Sequence, residues 1–149
     1  MRAPIQVLVY PVRRDTSGDW EYLLLKRTPR GGCFWQGITG GVENDEDLTE
    51  AARRELIEET GLVPLLVERI DYSYSFPVDD RWRHLYAADV EEIKEYVFMA
   101  YVTGQQELEI SSEHDQYKWC RFNEALGLLY WSENKEALNR CHKVVLAQS

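Results

Sequence analysis

Several things are scarce in this chain of 149 residues, and each shortage excludes something. Cysteine is rare: Cys33, Cys120 and Cys141 are odd in number and far apart. They fit neither a disulfide framework nor a zinc site, so reduced thiols in a cytoplasmic protein are expected. No apolar run reaches the ~18 residues that a membrane span needs. The opening "MRAPIQVLVYPVRRD" has neither the long apolar core nor the small-residue cleavage site of a secretory leader, and it is expected to form a strand. Basic runs are missing as well, and the formal net charge is −9. Stable binding to nucleic acid is therefore disfavoured. There is no internal repeat, low-complexity tract or Pro/Ser-rich linker, and the length suits one domain over residues 1–149. Nothing in the sequence specifies an oligomeric state.

What the chain does have is acid, and it is concentrated. The stretch "GGVENDEDLTEAARRELIEETGL", Gly40 to Leu62, holds eight carboxylates and two arginines. Asp47 can cap a helix, Glu50 follows three residues later as in a capping box, and Gly61 stands where helices commonly stop. The residues between are strong helix formers, so a helix over about 48–60 is predicted. At 100° per residue, with Glu55 at zero, Glu59 lies at about +40° and Glu58 at about −60°. The three carboxylates share one face. Ala51 and Ala52 lie on that face one turn earlier and are expected to leave room for a ligand.

A solvated acidic face is the common fate of such a run. Two effects oppose it here. Like charges at i,i+3 and i,i+4 repel by a few tenths of a kcal/mol per pair. Acids in the last turn also meet the negative end of the helix dipole, at ~0.3–1 kcal/mol each. A bound cation resolves both conflicts. Oxygen ligands without histidine or cysteine point to Mg²⁺ or Mn²⁺ over zinc.

Around the helix, strands are predicted at 5–12, 20–27, about 35–39, 63–78, 83–90, 95–104 and 117–122. The tail is predicted to be helical over 123–130, and again from about Glu133 to Leu146 with Ser132 as cap. The expected class is α/β (α+β), an α/β/α sandwich around a mixed β-sheet.

The pattern Gly40, five residues, Glu46, seven residues, then "RELIEETGL" from Arg54 to Leu62 resembles the Nudix box at every defined position. Its order of strands and its final helix are also similar to that family's α/β/α sandwich. The resemblance implies hydrolysis of a nucleoside diphosphate linked to another group, with divalent cations. It implies that Glu58 and Glu59 are metal ligands and Glu55 a further ligand or the base that activates water. Arg54 would pair with nearby carboxylates such as Glu46. The backbone carbonyl of Thr39 or Gly40 would complete the metal shell. An additional acid is expected from "SSEHDQYKW": Glu113, with Asp115 in reserve.

Arg27, and beside it Lys26 and Arg30, are expected to bind phosphate. Trp35, and less directly His84 and Tyr86, are expected to contact a planar ring. His114 and His142 show no partner pattern and are expected to play ordinary surface or helix-end roles. The segments "FWQGITGGVE", "RHLYA", "SSEHDQYKW" and "YWSENKEAL" resemble the dihydroneopterin triphosphate pyrophosphatase branch. A small-molecule phosphoanhydride, either a pterin triphosphate or a (d)NTP, is therefore the expected substrate. ADP-ribose or a dinucleoside polyphosphate is the alternative, because Pro77 stands fifteen positions after Leu62. A non-catalytic binding module is the alternative of another class, disfavoured because every acid of the box is present.

Overall fold

The computed structural model describes residues 2–104 and 106–148. Its strands are β1 (Ile5–Arg14), β2 (Trp20–Arg27), β3 (Trp35–Gln36), β4 (Ile38–Gly41), β5 (Leu66–Pro77), β6 (Glu92–Tyr101) and β7 (His114–Cys120). Its helices are α1 (Leu48–Thr60), α2 (Phe122–Leu128) and α3 (Ser132–Ala147).

β1 is the axis of the sheet. Along one edge it runs parallel to β6, from Ile5 opposite Lys94 to Val12 opposite Tyr101. Its other edge is shared. Residues Gln6 to Val9 pair antiparallel with β4, and Val12 to Arg14 pair antiparallel with β2. β2 continues the sheet to β7 and β3, while β5 closes the far side against β6. Alternating residues of the strands feed two cores. Val7, Val9, Leu23, Leu25, Ile38 and Phe98 face α1. Leu8, Tyr10, Val12, Tyr22, Leu24 and Met99 face α2 and α3. The result is the expected sandwich of three layers around a mixed sheet.

Helix α1 has the predicted limits, and its caps explain them. The Asp47 carboxylate accepts from the Glu50 backbone N–H at 2.8 Å. Gly61 takes φ of 73°, and its N–H donates to the Ile57 carbonyl at 2.8 Å. Ala51 and Ala52 are both fully buried in the core beneath the helix. Their small side chains let the helix lie close to the sheet; they do not open space for a ligand.

Two further expectations fail. Residues 83–90 do not form a strand: Asp80–Leu85 is a 3₁₀ turn, capped by the Asp79 carboxylate through the Arg81 N–H. Arg83 then donates to the carbonyls of Val90, Ala87 and Ala88, so one guanidinium satisfies backbone groups that a strand neighbour would otherwise serve. Ser132 is not a cap either. It is the first helical residue of α3, and Trp131 holds the cap position without a side-chain bond.

A buried carboxyl ties the sheet to α3. Glu95 lies on β6 opposite Gln6 and Tyr74 and is only 3% exposed. Gln6 donates to it at 2.5 Å and the Tyr74 hydroxyl donates to its other oxygen. Asn134 of α3 donates in turn to the Tyr74 oxygen at 2.8 Å. Burial pushes the Glu95 pKa up to about 7, against the pull of Gln6. The folded pKa therefore exceeds the unfolded one. As pH rises, the unfolded chain releases this proton first, so stability falls from about pH 4.5 to about 7 and levels off above that. Glu95→Gln is expected to gain on the order of 2–3 kcal/mol relative to the parent at about pH 8, and little at about pH 4.5. Urea unfolding at both values checks this, and an equal difference at both would refute it.

Candidate active site

The acidic stretch is organised by one arginine. Arg54 donates from Nε and Nη2 to both oxygens of Glu46, at 2.7 and 2.9 Å, in a two-pronged pair. Its Nη1 reaches Glu55 Oε1 at 2.8 Å and Glu58 Oε2 at 3.2 Å, with Glu43 at 3.5 Å. Nη2 also donates to the Gly41 carbonyl at 2.8 Å. A single guanidinium thus binds the loop, the end of β4 and two turns of α1 together. It faces Glu43, Glu46, Glu55 and Glu58, so the cluster keeps excess negative charge.

Glu55 is pressed against β4. A Cβ on Gly40 would stand 1.9 Å from the Glu55 carboxyl carbon, so the Glu55 carboxylate holds this position only beside glycine. Burial pushes the Glu55 pKa up to about 7, outweighing the hydrogen bond and charge of Arg54, while Glu58 and Glu59 add to the rise. Glu58 is more open, its side chain 54% exposed. Glu59 is buried, and Ser111 Oγ donates to its Oε2 at 2.5 Å. Burial works to raise its pKa, yet the approach of His114, the Ser111 hydroxyl and the charge of Arg27 together hold it below the ordinary value. A cavity of about 560 Å³ opens beside these groups, bordered by Arg2, Gly41, Glu43, Arg54 and Glu55.

The donor set suits a hard divalent cation: carboxylates and backbone carbonyls, with more negative charge than Arg54 balances. Among the described residues, no three acidic, histidine or cysteine side chains already converge as a metal cage. Arg54 engages Glu55 and Glu58, and Ser111 engages Glu59.

The other predicted residues fall in different places. Arg27 ends β2, and its Nε is buried without a hydrogen-bond partner. Lys26 pairs across the sheet with Trp35 of β3 and with Gln116. Trp35 is half-buried against the core below α3. Thr39 lies on β4 beside Gly40. Arg30 is exposed in the turn after β2, and Glu113 and Asp115 are exposed around the start of β7. His84 is exposed in the 3₁₀ turn. Tyr86 is only 4% exposed, with Arg2 over its ring, so it has no free face for a ligand and its expected role is withdrawn.

His114 was not expected here. It is buried, between Gln36 and Glu59. The sequence reading left His114 outside the predicted strand 117–122; β7 starts three residues earlier, at His114, which is buried while Glu113 and Asp115 stay exposed.

These features define a class, and comparison with known proteins agrees. The NUDIX domain model matches residues 3–141. The chain belongs to the NUDIX family, and it is a hydrolase of that family's phosphoanhydride-cleaving kind. Nudix hydrolases generally use divalent metals.

It is 28% identical over 144 residues to the dihydroneopterin triphosphate diphosphatase of Escherichia coli K12, covering 93% of this chain and 92% of that protein. The E. coli dihydroneopterin triphosphate pyrophosphohydrolase structure superposes with a TM-score of 0.74 at 27% identity, covering 93% of this chain and 94% of the other. A NUDIX hydrolase structure from Listeria monocytogenes gives a TM-score of 0.84 at 30% identity, covering 98% of this chain and 97% of the other. The chain is also 31% identical over 137 residues, 92% of its length, to an octanoyltransferase of Myxococcus xanthus. It spans only 36% of that protein's length.

Proposed function

We propose that this chain, acting as a single domain, is a Mg²⁺-dependent pyrophosphohydrolase that cleaves a pterin triphosphate or a (d)NTP to the monophosphate and pyrophosphate. The observation that carries the reading is the Arg54-centred cluster: acids held on one face of α1 against glycine-bearing β4, with more negative charge than one guanidinium balances. The preference for triphosphates rests on the likeness to the E. coli diphosphatase along nearly the whole chain.

In this reading Glu55, Glu58 and Glu59, with the carbonyl of Thr39 or Gly40, hold Mg²⁺ or Mn²⁺. When bound, such an ion neutralises phosphate charge and acidifies a bound water. Arg54 fixes the acids so that they are aligned before substrate arrives. Water attacks a phosphorus of the bridge between the first and second phosphates, that bridging P–O bond breaks, and the monophosphate and pyrophosphate are released. Glu55 is the group that accepts the water's proton, with Glu113 as the additional acid on its exposed loop. Arg27, whose Nε lacks a protein partner, binds phosphate, with Lys26 beside it. Trp35 contacts the planar ring. His84 is exposed and available to the same ring. The three unpaired cysteines suit a reducing compartment, the cytoplasm. Among the described residues no helix is long and apolar enough to cross a membrane. Pro77 closes β5 opposite Glu92, which accounts for it without a ligand.

The test is a substrate panel with Mg²⁺ or Mn²⁺: dihydroneopterin triphosphate, nucleoside triphosphates, dinucleoside polyphosphates and ADP-ribose, with products identified by phosphorus NMR. Pyrophosphate with a monophosphate from the triphosphates is expected. Cleavage confined to ADP-ribose or dinucleosides would replace this reading by the alternative. Binding without turnover of any of them would make the chain a binding module.

A further inference from the structure

His114 is a buried imidazole that the reading above leaves without a task. It opens β7, and its side chain is only 3% exposed although Glu113 and Asp115 on either side are exposed. Ring Nε2 stands 3.3 Å from the side-chain nitrogen of Gln36 on β3. Ring Nδ1 stands 3.3 Å from Glu59 Oε2, angled off the line of a full hydrogen bond and without another partner. Ser111 donates to the same Glu59 oxygen. The segment carrying these residues is pinned to the end of α1. The Ser111 N–H donates to the Glu59 carbonyl at 3.1 Å and the Glu109 N–H to the Thr60 carbonyl at 2.9 Å. The His114 N–H turns back to the Ser111 carbonyl at 3.2 Å.

The chemistry of the partners selects one tautomer. An amide nitrogen only donates, so the Gln36 nitrogen requires an unprotonated Nε2. In a neutral ring the proton then sits on Nδ1, facing the Glu59 carboxylate. Turning the Gln36 amide over would put the proton on Nε2 and set a bare Nδ1 lone pair against a carboxylate oxygen. For a neutral ring, the first arrangement alone suits both neighbours, with Nε2 facing the Gln36 nitrogen and Nδ1–H facing Glu59 Oε2.

We propose that His114 is a positioning residue for the cation site: as the Nδ1–H tautomer held by Gln36, it fixes the Glu59 carboxylate through Oε2 and leaves Oε1 to the metal. This rests on Glu59 being a ligand in the reading above. His114 touches neither substrate nor the reacting atoms. It acts by holding a ligand oxygen still, the task that a hydrogen-bonding partner behind a metal ligand commonly performs. Because His114 lies beside Glu113, it also ties the loop bearing the additional acid to the end of α1.

Two measurements test it. In the metal-free protein, long-range ¹⁵N–¹H correlation spectra should show the His114 ring protonated at Nδ1 and bare at Nε2; an Nε2–H ring would overturn the proposal without bearing on the metal site. Mn²⁺ affinity, measured by electron paramagnetic resonance, should weaken about 10–100-fold in His114→Phe. It should recover in His114→Asn, whose amide places a donor near the Nδ1 position. Glu59→Gln is the control. If it abolishes Mn²⁺ binding while both His114 variants bind like the parent, the role of His114 is refuted and the metal reading stands. If the parent binds no Mn²⁺, or Glu59→Gln binds as the parent does, both fall together.

Discussion

Glu58→Gln is expected to lower Mg²⁺-dependent turnover by more than about 100-fold, since losing even a group behind a ligand costs ~10–100-fold. The fold should not notice. Glu58 is exposed, its side chain at 54%, and it meets Arg54 at 3.2 Å. Arg54 keeps its stronger bonds to Glu46 and Glu55 when Glu58 is neutralised. Glu58 also sits in the last turn of α1, beside other acids and near the negative end of the helix dipole. Removing its charge relieves repulsion worth a few tenths of a kcal/mol, so the unfolding free energy should stay within about 0.5 kcal/mol of the parent. A residue that costs the folded chain something and returns it only when a cation binds is a residue kept for that cation. Pyrophosphate release and urea unfolding, measured on the same preparation, separate the two effects. Unchanged turnover removes Glu58 from the ligand set; a loss of several kcal/mol makes it structural instead.

The same contrast shows what could be read in the sequence and what could not. Helix α1 was legible to its limits because its signals are local: Asp47 caps it and Gly61 ends it. The grouping of Glu55, Glu58 and Glu59 followed from helical periodicity alone. Contacts between distant segments left weaker traces. Arg83 satisfies three carbonyls downstream of it, and no propensity at "RHLYAADV" announces that. Ala51 and Ala52 were visible as small residues on the acidic face, but not what they face. A helix lying close on β4 needs them as much as an open pocket would. His114 was lost for a related reason. Its partners, Gln36 and Glu59, lie 78 and 55 positions away along the chain, where only the fold brings them into reach.

Arg54→Met is expected to destabilise the metal-free protein by ~3–5 kcal/mol near neutral pH, the cost of removing one partner from largely buried ion pairs. The Arg54 side chain is 20% exposed, and those of Glu46 and Glu55 are 12% and 10% exposed. Deleting the guanidinium takes this donor from Glu55 and the Gly41 carbonyl, and leaves Glu46 to the Glu43 backbone N–H at 3.0 Å. Arg54→Lys should recover only part of the loss. One ammonium restores charge but cannot make the two-pronged bond to Glu46 while also reaching Glu55 and Gly41. The pH dependence has a definite sign. The hydrogen bonds from Arg54 lower the Glu46 pKa, so the pair contributes stability above the unfolded carboxylate pKa and loses it as pH falls through the folded one. In Arg54→Met that contribution is absent, and protonation relieves the stranded carboxylates. The deficit relative to the parent should therefore shrink as pH drops from about 8 to about 4. Urea unfolding across that range tests it, and a deficit that stays constant would mean Arg54 stabilises by packing its stem and not by pairing its charge. Added Mg²⁺ supplies a further check. The ion competes for the same carboxylates, so it should offset more of the loss in Arg54→Met than it adds to the parent.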